Sequence, residues 1–294
     1  VSSPALRSRS KSSAALLLAP YLILTTLFAA IPVLLAVTSS LHDKQGNWSL
    51  STYSKVFSDY RFLPALENVA GYVLVFVPLV LAASTVLALV LHSRHDRAAT
   101  GFRLVYYLPG IVVGAPLVVL WLFMLSPSLS PFGPVLAALG WESTSQAFVQ
   151  GNPAVIFAIM GVFASVGGWI VVLHGALDNV AEEMQEAARL DGCNALQLAL
   201  YVKLPQIRRQ LVFIGLVSFA GATQLVAEPS IIASAIPGTV SNTWSLNQLS
   251  LYYAFSLNNF PAANVIAVLL LAIAAVTGAI VVFGVRGYSV DTDD

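Results

Sequence analysis

The sequence predicts an all-α membrane protein with six transmembrane helices, and three observations lead there. Of its 294 residues 57% are hydrophobic and only 10% charged, against roughly a quarter charged in ordinary globular chains. The apolar residues gather into six runs, each about the 20 residues that a helix needs to cross a bilayer. Between the fourth and fifth runs lies a polar stretch, 178–205, too long for a simple turn. It holds five of the fourteen acidic residues: Asp178, Glu182, Glu183, Glu186 and Asp191.

Taken in order, residues 1–13 form a basic, serine-rich leader with Arg7, Arg9 and Lys11. The first span, 14–41, exceeds the 7–15 apolar residues of a signal-peptide core and is expected to be retained. The loop 42–64 carries Trp48, Tyr53 and Tyr60 as interfacial anchors. The second span, 67–91, contains Pro78, which neighbouring helices accommodate. A basic loop, 92–103, leads to the third span, 104–125. The proline-rich segment 126–152 reads as an external loop with a short helix at 135–139. The fourth span, 153–173, carries Gly161, Ser165, Gly167 and Gly168, small residues that allow helices to approach closely. The fifth span is 211–232. A polar and aromatic loop, 237–261, precedes the sixth, 262–285, so the six-span domain covers 14–287 and 288–294 is a tail.

Lysine and arginine set the orientation. Eleven of the fourteen lie in the leader, the loop 92–103, the polar stretch with its exit, and the end of the chain. The opposite segments hold three, Lys44, Lys55 and Arg61. Both termini and the polar stretch are therefore expected in the cytoplasm.

The polar stretch itself reads as helix, glycine turn, helix. Asn179 and Glu182 match a capping box, and acids crowd the first turns, where the helix dipole favours them. Gly192 can adopt the left-handed conformation that ends a helix. A second short helix is expected over 195–202, interrupted by Pro205. Ala187 and Ala188 offer a small face that another protein could approach closely. A helix resting on lipid headgroups is the alternative, but its acidic charge has the wrong sign for an anionic membrane surface.

Glu186-Ala187-Ala188, three residues, Gly192, nine residues, then Val202-Lys203-Leu204-Pro205 resembles the EAA loop of bacterial ABC importer permeases. There the pattern is EAA, three residues, Gly, nine residues, Ile-x-Leu-Pro. Asp191 before Gly192 is similar to the carbohydrate-uptake branch, while Val180-Ala181 stands where many members have Ile-Pro. Softer likenesses extend over about 14–287: Leu18-Ala19-Pro20, Tyr53 with Asn68, Leu108-Pro109 with Trp121, Gly133 to Gly140, Pro237-Gly238, Thr243, and Leu251 to Phe255. Ala235-Ile236-Pro237-Gly238 replaces the usual Gly-Gly-Pro.

The resemblance implies a type I ABC importer permease fold in a cell (inner) membrane. It implies a complex with a second permease subunit, two ABC ATPase subunits, and an extracytoplasmic solute-binding protein. Glu182, Glu183, Glu186, Ala187, Ala188, Asp191, Gly192, Leu204 and Pro205 would couple the chain to its ATPase, the helix acting as a lever. The solute would be a sugar or sugar derivative. A polyamine, amino compound or phosphodiester is the next class, and a membrane scaffold or receptor without transport the last.

The residues support no chemistry of the chain's own. None of the four lysines follows the glycines of a Gly-x-x-x-x-Gly-Lys-Ser/Thr phosphate loop, so ATP and Mg would be used by a partner and no cofactor is expected here. His92 and His95 fit a solvated basic loop better than a metal site, and His174 an interface. Cys193 alone allows no internal disulfide. No Ser/His/Asp constellation stands out, and zero net charge gives no reason to expect nucleic acid. For a solute path, Gly221, Gln224 and Glu228 would share one face of the fifth span, with Glu228 either facing the path or marking the outer interface. Ser165 and Trp169, one turn apart on the fourth span, are further candidates, with a packing role as the alternative for each.

Overall fold

The computed structural model describes residues 17–93, 105 and 108–286. The leader, the tail, His95 with the rest of the basic loop after Ser93, and nearly all of 94–107 lie outside the described residues. The chain divides into two compact units, 1–59 with 250–269 and 60–249 with 270–294.

In the first unit α1 (Leu17–Ser40) is long and apolar enough to span a membrane, and none of its most apolar stretch is buried. Leu17, Tyr21 and Phe28 all face outward. Such a surface needs lipid or protein cover. A π-type turn, Thr26–Ala30, interrupts its hydrogen-bond register. The loop after it pairs His42 with Trp48. Asp43 Oδ1 accepts the backbone N–H groups of Gln45 and Asn47, each at 2.9 Å. The short helix α2 (Ser51–Phe57) follows. Also in this unit, the Tyr253 hydroxyl donates to Asp59 Oδ2, and Lys44 Nζ donates to the Leu257 carbonyl at 3.0 Å.

The second unit is built on two long helices, α3 (Phe62–His92) and α7 (Pro153–Leu177). Along α3 the buried residues are Phe62, Ala65, Val69, Tyr72, Phe76, Val80, Ser84, Ala88 and Leu91. Steps of three and four draw one stripe along the helix, and this stripe packs on α7. Gly161 of α7 permits the crossing: a Cβ there would sit 2.9 Å from Phe76 Cε2 and 3.0 Å from Tyr72 Oη. Pro153 starts α7 and the Asn152 side chain caps it, accepting from Ala154 N at 2.9 Å.

Between them come a 3-10 turn (Leu108–Ile111), α4 (Ala115–Met124), α5 (Gly133–Ala138) and α6 (Thr144–Gln150). On sequence alone, 104–125 is expected to be one continuous span and 144–150 part of a loop. Instead the chain breaks at 112–114, with Gly114 at φ +68°. The preceding turn lies so close to α7 that a Cβ on Gly110 would sit 3.0 Å from the Ala164 carbonyl. α6 forms because Ser143 and Gln146 make a reciprocal capping box.

The polar stretch holds α8 (Glu182–Leu190) and α9 (195–206). The predicted fifth span is two helices, α10 (Arg208–Ala222) and α11 (Ala227–Ala235), bent by 41° across the break. The loop to the last helix contains α12 (Leu246–Leu251), which runs on into a π-type turn, Tyr252–Ser256. The last helix is α13 (Phe260–Arg286). α1, α3, α7 and α13 are long and apolar enough to cross a membrane, and the bent pair α10–α11 makes a fifth such element. Tyr72, Phe76, Phe148, Phe157, Met160 and Trp244 belong to the main core. Asn68 Nδ2 ties the second unit's loop down by donating to the Trp244 carbonyl at 3.1 Å.

Candidate functional site

α8 follows α7 after only four residues. It begins at Glu182, so the capping position falls on Ala181, which has no side-chain oxygen to offer. Asn179 sits two residues too early for the predicted box and instead donates its Nδ2 to the Gly175 carbonyl at 2.7 Å, closing the end of α7. Glu182 and Glu183 occupy the first turn and Arg189 the last, which complements the helix dipole at both ends.

The C-terminus of α8 forms as expected. Gly192 has φ +87°. Its N–H donates to the Arg189 carbonyl at 3.1 Å, and that of Cys193 to Ala188 at 3.0 Å. These two bonds define a Schellman motif. The next helix has the capping box that the sequence reading overlooked. Asn194 Oδ1 accepts from Gln197 N, and Gln197 Oε1 accepts from Asn194 N, each at 2.9 Å. The Asn-x-x-Gln signature was present to be read.

Pro205 does not end α9. A π-type turn, Leu198–Lys203, comes just before it, and the helix runs through Leu204 and Pro205 to Gln206. The wider turn relieves the clash that a proline ring makes with the carbonyl four residues back. The chain then turns at Ile207 into α10.

Val180, Leu198, Lys203 and Ile207 are buried and anchor the loop from within. Gln185 Nε2 donates to the Val180 carbonyl at 3.1 Å, and Gln206 Nε2 lies 3.7 Å from Met184 Sδ, tying α8 to α9. The outer face is left open. Glu182, Glu183, Glu186, Ala187, Asp191 and Gly192 are exposed and Ala188 half-buried. Leu190 is 89% exposed, Tyr201 75% and Leu196 68%. Leu204 is half-buried and Pro205 exposed. A short acidic helix thus stands on a buried apolar base with exposed apolar residues beside it.

Beneath it lies a polar group missed at the sequence level. Lys203 is buried, and its Nζ lies 2.9 Å from Nδ1 of His92, the last residue of α3. His92 Nε2 is 3.5 Å from Asp178 Oδ1, and His174 Nε2 is 3.8 Å from the same oxygen. Burial, and after it the positive charge of Arg189, hold the Lys203 ammonium below the ordinary lysine pKa. His92 therefore belongs to this group, not to a solvated loop. Its side chain is only 10% exposed. His174 and Asp178, four residues apart at the end of a helix, were the available signal. Among the described residues no cluster of His, Cys, Asp and Glu is placed to hold a metal ion.

The solute-path candidates fare differently. Ser165 donates Oγ to the Gly161 carbonyl of its own helix at 2.7 Å, and Trp169 packs against the apolar clusters on both sides of it. Gly221, Gln224 and Glu228 do not share a helical face. Gly221 is near the end of α10, Gln224 lies in the break, and Glu228 is in the first turn of α11. The helix ends after Ala222, so the i, i+3, i+7 geometry does not apply.

The family model for "binding-protein-dependent transport system inner membrane component" matches residues 80–290. A probable ABC transporter permease protein, YurN of Bacillus subtilis, is 26% identical over 77% of this chain and 82% of its own. The diacetylchitobiose uptake system permease protein NgcF of Streptomyces coelicolor is 28% identical over 78% of this chain and 68% of its own. A similar fold occurs in a chain of a bacterial alginate ABC transporter, solved in complex with an alginate-pentasaccharide-bound periplasmic protein. The TM-score is 0.76 at 16% identity, over 94% of this chain and 93% of that one. With the family match covering most of the chain, the protein belongs to the binding-protein-dependent inner-membrane components and is a multi-pass permease subunit of an ABC importer.

Proposed function

We propose that this permease takes up a sugar or oligosaccharide, and that α8 with its glycine turn is the element through which a cytoplasmic ATPase drives it. The observation that carries the coupling role is the build of 178–207: capped by Gly192, anchored by Val180, Leu198 and Ile207, and bare on its outer face. A lever must be stiff at its base and uncovered where force enters. Closure of an ATPase dimer on ATP would press on Glu182, Glu183, Glu186, Ala187 and Ala188 and tilt α7 and α10, which flank the loop. Support for the solute class comes from relatives named for diacetylchitobiose, arabinooligosaccharide, alpha-glucoside and lactose transport.

In this reading the chain crosses the membrane six times with both ends in the cytoplasm, the segment ending in α4 completing the third span. The lysine and arginine bias supports that orientation. A second permease, two ATPases and an extracytoplasmic binding protein complete the complex. Ser165, Trp169, Gly221, Gln224 and Glu228 remain candidates for the solute path; the break beside Gln224 supports the last three, because non-helical backbone at membrane depth is tolerated only in protein or beside water.

The test is to purify the tagged protein gently from native membranes, identify its partners, and measure ATP-dependent uptake in vesicles holding the whole complex. Recovery of an ATPase and a sugar-loaded binding protein, with sugar uptake, is the expected result. An active preparation without an ATPase would refute the coupling role, and uptake of a polyamine or amino compound alone would refute the sugar.

A further inference from the structure

We infer that Lys203, His92, Asp178 and His174 form a clasp that fixes the loop 178–207 to the ends of α3 and α7, making Lys203 and His92 positioning residues for coupled transport. The proposal rests on the reading that α8 receives the motion of an ATPase.

The groups come from three separate elements. Lys203 stands on α9, His92 closes α3, and His174 with Asp178 closes α7. An ammonium has donors and no acceptor, so Lys203 Nζ donates to His92 Nδ1 across 2.9 Å. That assignment leaves the imidazole proton on Nε2, the nitrogen that faces Asp178 Oδ1 at 3.5 Å. The chain of contacts therefore has one direction, from lysine through imidazole to carboxylate. The two imidazoles lie edge to face with centroids 5.4 Å apart, so the His174 ring also limits how far His92 can turn.

A buried charge-bearing side chain that needs its partners is a poor source of net stability but a strict specifier of geometry. Apolar anchors such as Leu198 and Ile207 hold the loop near the helix ends, yet they permit sliding. The clasp permits one register, because Lys203 reaches Nδ1 only when α9 stands at one rotation relative to α3. Motion applied to α8 then passes to α3 and α7 together instead of being absorbed as slippage.

The experiment uses the whole complex with cysteine-free partners and a nitroxide on the native Cys193, which is half-exposed beside the glycine turn. The variants are Lys203→Met, Lys203→Arg, His92→Phe and His92→Gln. In Lys203→Met and His92→Phe the label is expected to become more mobile, and solute moved per ATP hydrolysed to fall about tenfold. Lys203→Arg and His92→Gln, which keep donors or acceptors, restore most of both. The Lys203→Met/His92→Phe double variant is no worse than either single one, since both break one chain. Unchanged label mobility and stoichiometry in both apolar variants overturn the clasp. A loosened label with unchanged stoichiometry supports the clasp and removes the coupling role of α8, so the two failures are distinguishable.

Discussion

Replacing Gly192 tests the proposed lever at the turn that ends α8. The residue has φ +87°, and a Cβ built on it meets nothing within 4 Å. Any penalty is therefore conformational, without a clash. An L-residue held in the left-handed region costs about 1–2 kcal/mol; asparagine pays less because it tolerates that region, and a β-branched residue pays more. At 1.4 kcal/mol per factor of ten, Gly192→Ala should lower the ratio of capped to uncapped loop by about five- to thirtyfold. Gly192→Val exceeds that, and Gly192→Asn stays near the wild type. The Schellman bonds from Gly192 and Cys193 to Arg189 and Ala188 go with the cap. In reconstituted complex, solute transported per ATP hydrolysed should fall in the order Asn, Ala, Val. Equal coupling in all three would refute the claim that the turn transmits force. An alanine variant worse than the valine one would refute the conformational cause.

Three other predictions follow from single contacts. Gly161→Leu forces a branched side chain against Phe76 and Tyr72 and should destabilise the α3–α7 crossing by about 1–3 kcal/mol, read as a lower thermal midpoint in detergent. Ser245→Ala removes the hydroxyl that donates to the Leu225 carbonyl at 2.7 Å; the orphaned carbonyl should cost about 1–3 kcal/mol, with faster amide exchange around the break in α10–α11. At Asp43 the backbone N–H of Asn47 is the largest cause holding the carboxyl below the ordinary aspartate pKa. Its contribution to loop stability is thus present above the unfolded pKa and lost as pH falls through the folded one. Because both backbone bonds go to Oδ1, Asp43→Asn should protect the Gln45 and Asn47 amides nearly as well as the wild type, while Asp43→Ala should not.

Long helices were legible because their signal repeats. The stripe from Phe62 to Leu91 reports its own period, and Pro153 behind Asn152 announces the start of α7. Gly192 was legible because few residues can take its conformation. The break in the fifth span was not, because Thr223-Gln224-Leu225-Val226 contains neither glycine nor proline. What holds it open lies twenty residues on, where Ser245 reaches the Leu225 carbonyl. Pro229 gives no sign of the break either, because it occupies the first turn of α11, where a missing N–H costs nothing. The clasp escaped for a related reason. His92 and Lys203 are 111 positions apart, and no local pattern joins a helix's last histidine to a lysine in a distant loop.

The π-type turn at Leu198–Lys203 gives the spacing between Gly192 and Leu204-Pro205 a meaning in angle instead of length. One residue is about 100° of helical rotation. Deleting a single residue from this turn would let α9 close up as an ordinary α-helix, with its backbone bonds intact and its ends hardly moved. The wide turn carries one residue more than an α-turn over nearly the same rotation, so what lies beyond would keep its facing. With the wide turn kept, a deletion at 195–197 would instead turn everything beyond it by nearly a third of a revolution, taking Lys203 from His92 and Ile207 from its buried seat. The count of residues in the motif is thus a phase setting between the outer face of the loop and the spans that follow.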